Sequence, residues 1–271
     1  MSGSPSDRAA IRVEADGAEL EAPAREAIDT VAAEGEQVER SWGAADFADS
    51  DWEHPDTRPR ARGWIHLFSF FGAIVAGAVL IPLAAVLGAR AGFSVAVYCL
   101  TICGLFGISA LYHRRRWTPR SWKIMKRLDH SMIFLFIAGT YTPFCLLSVA
   151  QPTGAWVLTG VWAGALAGIA LKLAWPTAPR WVGVPIYIGL GWVAVFLLSD
   201  ILRIGGVTVL VLLAAGGLLY TVGGIAYAAK RPNPVPGVFG YHEVFHAMTI
   251  VAALCHHIAV YFAMYSSPFL P

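Results

Sequence analysis

Residues 65–87 read IHLFSFFGAIVAGAVLIPLAAVL, a run with one histidine and no charged side chain. About 20 apolar residues at 1.5 Å rise each cross the ~30 Å hydrocarbon core of a bilayer as a helix. Within that core every backbone N–H and C=O must be satisfied inside the segment, which a helix does. A charge at mid-bilayer costs about 2.5–3.5 kcal/mol on insertion scales, so the absence of charge is itself part of the signal. The stretch predicts a transmembrane helix, and that reading decides how the rest of the chain is understood.

Six more apolar segments follow, over residues 94–112, 128–149, 155–173, 182–201, 207–229 and 241–265. Together they predict an all-α, polytopic membrane protein, a seven-transmembrane helix bundle over residues 63–271. Pro82, Pro143 and Pro185 fall inside spans, which membrane bundles tolerate because neighbouring groups re-satisfy the freed backbone. Trp156, Trp162, Trp175, Trp181 and Trp192 lie mostly near predicted span ends, as interfacial anchors do. The four cysteines, Cys99, Cys103, Cys145 and Cys255, all sit in apolar stretches and read as small buried residues.

The charges divide sharply. Of 18 acidic residues, 15 lie between Asp7 and Asp56, and beyond Gly63 only Asp129, Asp200 and Glu243 remain. Three carboxylates cannot cover the surface of a water-soluble body of more than 200 residues. Residues 1–62 carry a net charge of −8 and the remainder +10. The acidic segment is too poor in apolar residues to offset chain entropy, so residues 1–62 are expected to be a disordered tail, with a short amphipathic helix around 18–33 at most. No apolar h-region opens the chain, so no signal peptide is expected. The basic residues are explained by membrane topology, and no nucleic-acid partner is expected.

Orientation follows from Lys and Arg in the loops. Arg114, Arg115, Arg116, Arg120, Lys123, Lys126 and Arg127 lie between spans two and three, Lys172 and Arg180 flank the fourth loop, and Lys230 and Arg231 the sixth. The alternate loops hold only Arg90 and Arg203. The positive-inside rule then places the N-terminus in the cytoplasm and the C-terminus outside, in an integral protein of the plasma membrane.

Polar residues inside spans are expensive and so are candidates for function. The densest group opens span seven, His242-Glu243-Val244-Phe245-His246. On a helix, i and i+4 side chains share a face, so the two imidazoles can meet one metal ion. Ser109 and His113 repeat the spacing at the end of span two, and Asp129 with His130 opens span three. Four spans separate Asp129 from His242, and an even number returns the chain to the same side. His113, Asp129, His242 and His246 are thus expected as one cluster on the cytoplasmic side. Three imidazoles leave a zinc ion an open fourth position, the arrangement of sites that activate water. Asp129 then ligates the ion or accepts a hydrogen bond from its water, and Ser109 supports a ligand or donates to a developing oxyanion.

Each residue also has a plainer reading. His242 and His246 can be interfacial histidines, Asp129 a carboxylate meeting a helix dipole, and Ser109 a packing residue between helices. Glu243 points about 100° away from His242 and suits ion pairing with basic loops better than general-base chemistry. His66 is a reserve ligand or a supporting group, His130 structural, and His54 part of the tail. His256 and His257 lie 14 and 15 residues beyond His242, about 21 Å along the helix, and belong to another depth.

Seven spans, Ser109-x-x-x-His113 ending span two, Asp129 opening span three and His242-x-x-x-His246 opening span seven together resemble the hemolysin III family of the progestin and adipoQ receptor superfamily. The resemblance covers roughly residues 63–265. It implies a zinc ion near the cytoplasmic surface with His113, His242 and His246 as ligands, Asp129 positioning a water or ligating, and Ser109 as the family's serine near the site. The wider superfamily resembles alkaline ceramidases, which implies hydrolysis of lipid amides. The family's name implies pore formation or lysis. Trp64-Ile65-His66 marks a departure from the usual pattern before span one.

These readings lead to a zinc-dependent membrane hydrolase of lipid amides or esters, with membrane lipids as partners and a lipid as substrate. The alternatives are a receptor or regulator in which zinc is a structural staple, and a pore-forming lytic protein, disfavoured by the scarcity of charge along the spans. A membrane metalloprotease, suggested by the H-E-x-x-H string, lacks a matching third-ligand motif after His246.

Overall fold

The computed structural model describes residues 59–175 and 178–270. The acidic tail up to residue 58, the helix expected over 18–33 and His54 lie outside the described residues. Helix α1 (Trp64–Val86) is followed by α2 (Ala89–Arg114), α3 (Pro119–Leu147) and α4 (Thr153–Ala174). Then come α5 (Arg180–Trp192), an irregular helical stretch through Gly205, α6 (Gly206–Ala229) and α7 (Tyr241–Ser266). Among the described residues there is no β-strand, only an isolated antiparallel bridge between Val235 and Phe239.

Helix α3 is the centre of the bundle. Of its most apolar window 72% is buried, against 22% for α1 and for α4. Phe68, Val75, Phe93, Leu100, Trp156 and Val211 point outward from the other helices, the pattern of a body whose surroundings are hydrocarbon rather than water. Close approach to α3 is set by small residues: a methyl at Gly168 of α4 would lie 2.2 Å from the Phe134 ring.

Two expectations are corrected. The first concerns where α3 begins. The span was expected from residue 128, but the helix starts at Pro119, because Thr118 accepts from the Ser121 backbone N–H at 3.3 Å and Pro119 occupies the first helical position. The basic run from Arg120 to Arg127 is therefore helical, and Asp129 lies in the helix interior rather than at its opening.

The second concerns the count of seven separate spans. Among the described residues, six helical runs are long and apolar enough to cross a membrane, because the fifth and sixth expected spans merge into one run of 50 residues, Arg180–Ala229. That run is not straight. Residues 188 and 224 would stand about 54 Å apart on a continuous helix, yet a Cβ at Gly224 would lie 3.7 Å from the Ile188 side chain. The run doubles back at Gly206, whose φ of 80° suits glycine. It is loosened ahead of the reversal by a 3₁₀ stretch, Val193–Leu197, and a π stretch, Ile201–Gly205. Tyr141 of α3 serves the freed backbone: its hydroxyl accepts from the Ala194 N–H at 2.6 Å and donates to the Gly191 carbonyl at 2.6 Å. Trp192 bonds Thr221 across the hairpin at 2.9 Å.

The chain just before α1 is built into the body. The backbone N–H groups of Arg60 and Ala61 donate to the carbonyls of Gly237 and Val238, both at 3.1 Å. Gly63 follows with φ 77°, and a methyl there would lie 2.9 Å from the Cβ of His113. Glycine is the residue that meets both demands.

Candidate metal centre

Three of the expected residues converge. One ring nitrogen from each of His113, His242 and His246 lies within 4.8 Å of the others, and all three side chains are buried. His113 comes from the last turn of α2, and the other two from the first turns of α7. The His242 and His246 ring centroids are 4.6 Å apart, as i, i+4 stacking requires. His113 faces them at 4.8 and 5.1 Å. A tetrahedral ion with nitrogens at ~2.0–2.1 Å would hold them about 3.3 Å apart, so modest side-chain rotation closes the group on an ion.

The donor set fits a metal. Nδ1 of His246 is buried and has no hydrogen-bond partner. Leaving such a group unsatisfied costs about 1–3 kcal/mol. Imidazole nitrogens suit zinc and neighbouring transition metals. Among the described residues, this is the group of histidine, cysteine and carboxylate side chains arranged to share an ion.

Glu243, between the two α7 histidines, is fully committed elsewhere. One carboxylate oxygen accepts from the Gly240 N–H at 2.8 Å, capping α7, and the other pairs with the Arg62 guanidinium. Both side chains are buried. The H-E-x-x-H string is thus two donors separated by a structural carboxylate. The Arg62 contact escaped sequence reasoning, which assigned residues 1–62 to the tail. The available hint was the bare arginine at the edge of span one.

Ser109 is buried one turn from His113 on α2. Asp129 is half-buried on α3, its Oδ2 3.9 Å from Nδ1 of the adjacent His130. His130 turns that nitrogen to the Lys126 carbonyl at 2.8 Å. Tyr227 of α6 meets His242 edge-on at 5.3 Å and carries the Arg180 guanidinium 4.7 Å from its ring. His256 and His257 stand apart, against Tyr220 and Tyr98 respectively.

One histidine is closer than the sequence suggested. His66, in the first turn of α1, stacks on His246 with centroids 3.8 Å apart and planes 8° from parallel.

Residues 56–257 match the family model described as Haemolysin-III related. The chain is 35% identical over 168 residues to Hemolysin-3 of Bacillus cereus, covering 59% of this chain and 74% of that one. It is 31% identical over 147 residues to the Hemolysin-3 homolog of Bacillus subtilis, covering 54% and 66%. It is also 24% identical over 176 residues to the human monocyte to macrophage differentiation factor, covering 64% and 71%. The match spans both arms of the histidine group, from His113 to His246, and the chain belongs to the haemolysin-III related family.

Proposed function

We propose that the three-histidine group holds zinc at the cytoplasmic end of the bundle, and that the protein is a zinc-dependent hydrolase of lipid amides or esters. The observation that carries this reading is the convergence of buried imidazoles from α2 and α7 with no carboxylate or thiol in the set. Three neutral donors leave a tetrahedral ion one position short. Zinc bound there would supply Lewis-acid polarisation of an ester or amide carbonyl.

His113, His242 and His246 hold the ion. Glu243 and Arg62 fix the N-terminal turn of α7 so that both of its imidazoles face inward. Asp129 would take a proton from the attacking water on its carboxylate and return it to the amine or alcohol that departs as the C–N or C–O bond breaks. Ser109, buried one turn from His113, donates its hydroxyl hydrogen to the oxyanion that develops on the carbonyl oxygen. The basic loops support the cytoplasmic assignment through the positive-inside rule, and a site at a bundle end suits a substrate arriving from the lipid. Purified, zinc-loaded protein is expected to hydrolyse at least one class among ceramides, acyl amides and acyl esters. Intact metal with no turnover across all three contradicts the hydrolase reading.

The deep burial of all three donors favours a second reading, a receptor or regulator with zinc as a staple between α2 and α7. Deleting residues 1–58 is then expected to alter signalling while zinc stays bound. Unchanged signalling would remove the tail from that account.

A further inference from the structure

His66 is 2% exposed, and neither of its ring nitrogens makes a hydrogen bond of ordinary geometry. The His246 backbone is a weak hydrogen-bonding neighbour that answers at most one of the two nitrogens. Phe106 closes one side of the ring, with centroids 5.1 Å apart, and His246 stacks on it at 3.8 Å. An apolar residue of the same shape would fill this space without leaving polar nitrogens stranded. A buried imidazole nitrogen left unanswered costs on the order of 1–3 kcal/mol, unless something binds there.

A fourth metal ligand would be the simplest explanation, but the ring planes argue against it. An ion bound by an imidazole nitrogen lies close to the plane of that ring. The His66 and His246 planes are 8° from parallel with centroids 3.8 Å apart. An ion in the plane of His246 would therefore sit at about van der Waals distance from the plane of His66, beyond a ~2.0–2.1 Å bond. His66 accordingly falls outside the group that can share one ion.

We infer that His66 is the hydrogen-bonding group that receives the polar atom of a ligand bound beside the three-histidine centre, and is not itself a ligand of the ion. This inference rests on the metal reading proposed above. The ligand chemistry is an oxygen or anionic donor that occupies the open position of the metal: a carboxylate, an ester or amide carbonyl, or a small anion. His66 enters from α1, whereas the metal donors come from α2 and α7. The ligand would thus be gripped between the ion and the first helix.

The test uses the full-length protein in detergent, loaded with cobalt(II) as a spectroscopic substitute, and azide as the probe. Metal content and azide affinity, read from the cobalt absorption bands, are measured for wild type, His66→Phe, His66→Asn and His66→Gln. The inference expects cobalt retained in every His66 variant, azide affinity lowered about tenfold or more in His66→Phe, and affinity restored to within a few-fold by Asn or Gln. Unchanged azide affinity in His66→Phe overturns it. So does loss of cobalt from the Asn and Gln variants comparable with that from His246→Ala, which would make His66 a ligand. A wild-type centre that holds cobalt but takes up no azide overturns it too, because no open position then exists. If folded wild type holds no cobalt or zinc at all, the metal reading itself fails, a result distinct from each of these.

Discussion

Glu243 shows what a single residue can and cannot reveal. In the string His242-Glu243-Val244-Phe245-His246 its type suggests catalysis, but its two oxygens are occupied by the Gly240 N–H and the Arg62 guanidinium. The pair is buried, so removing one partner strands the other. Arg62→Met is expected to destabilise the protein by about 3–5 kcal/mol, whereas Arg62→Met combined with Glu243→Leu recovers much of that loss. Thermal melts in detergent measure both, and equal loss in the single and double variants would show that the pair is not the cause. At His246 the expectation is chemical rather than structural. His246→Ala should lower metal content far more than His257→Ala, since His257 packs on Tyr98 at another depth. Equal loss in both would reject the ligand set. The spacing of 242 and 246 made two donors legible in the sequence, and the parity of the spans supplied His113. Arg62 and the stacking of His66 on His246 were not legible, because both depend on how α1 leans against α7.

At the scale of elements, hydrophobic runs located the helices and the seam between residues 201 and 207, but not the winding at that seam. The reversal between residues 182 and 229 falls at that seam, beside the Asp200–Arg203 ion pair. Its turn is carried by the Gly205-Gly206 pair and by 3₁₀ and π windings that composition does not register. The start of α3 was missed for the opposite reason: Thr118-Pro119 begins a helix in a basic segment that hydropathy reads as loop. Tyr141 is the element-scale keystone of the broken helix. Tyr141→Phe leaves the Ala194 N–H and the Gly191 carbonyl unanswered within the bundle, and about 1–3 kcal/mol of stability should be lost. A thermal shift indistinguishable from wild type would show that water or another group serves those atoms.

The whole molecule is a helical membrane body whose charges are sorted by loop. That sorting predicts sidedness. On a cysteine-free background, Arg116→Cys should react with a membrane-impermeant maleimide only after the cells are opened, and Ser267→Cys should react in intact cells. The reverse pattern would place the histidine group on the outer face. Fold class was legible because each span repeats the same signal, and the family was legible from the polar motifs of spans two, three and seven. Where the three histidines meet was legible only as one end of the bundle. The convergence of α2 and α7 on one point is a property of packing around α3.

His113, His242 and His246 are proposed to hold one zinc ion. Elemental analysis of the purified, folded wild type beside His113→Ala and His246→Ala tests this directly. About one zinc per chain is expected in the wild type, with most of it lost from each variant while the helical fold persists. A folded wild type without metal, or zinc retained undiminished in both variants, would contradict the account.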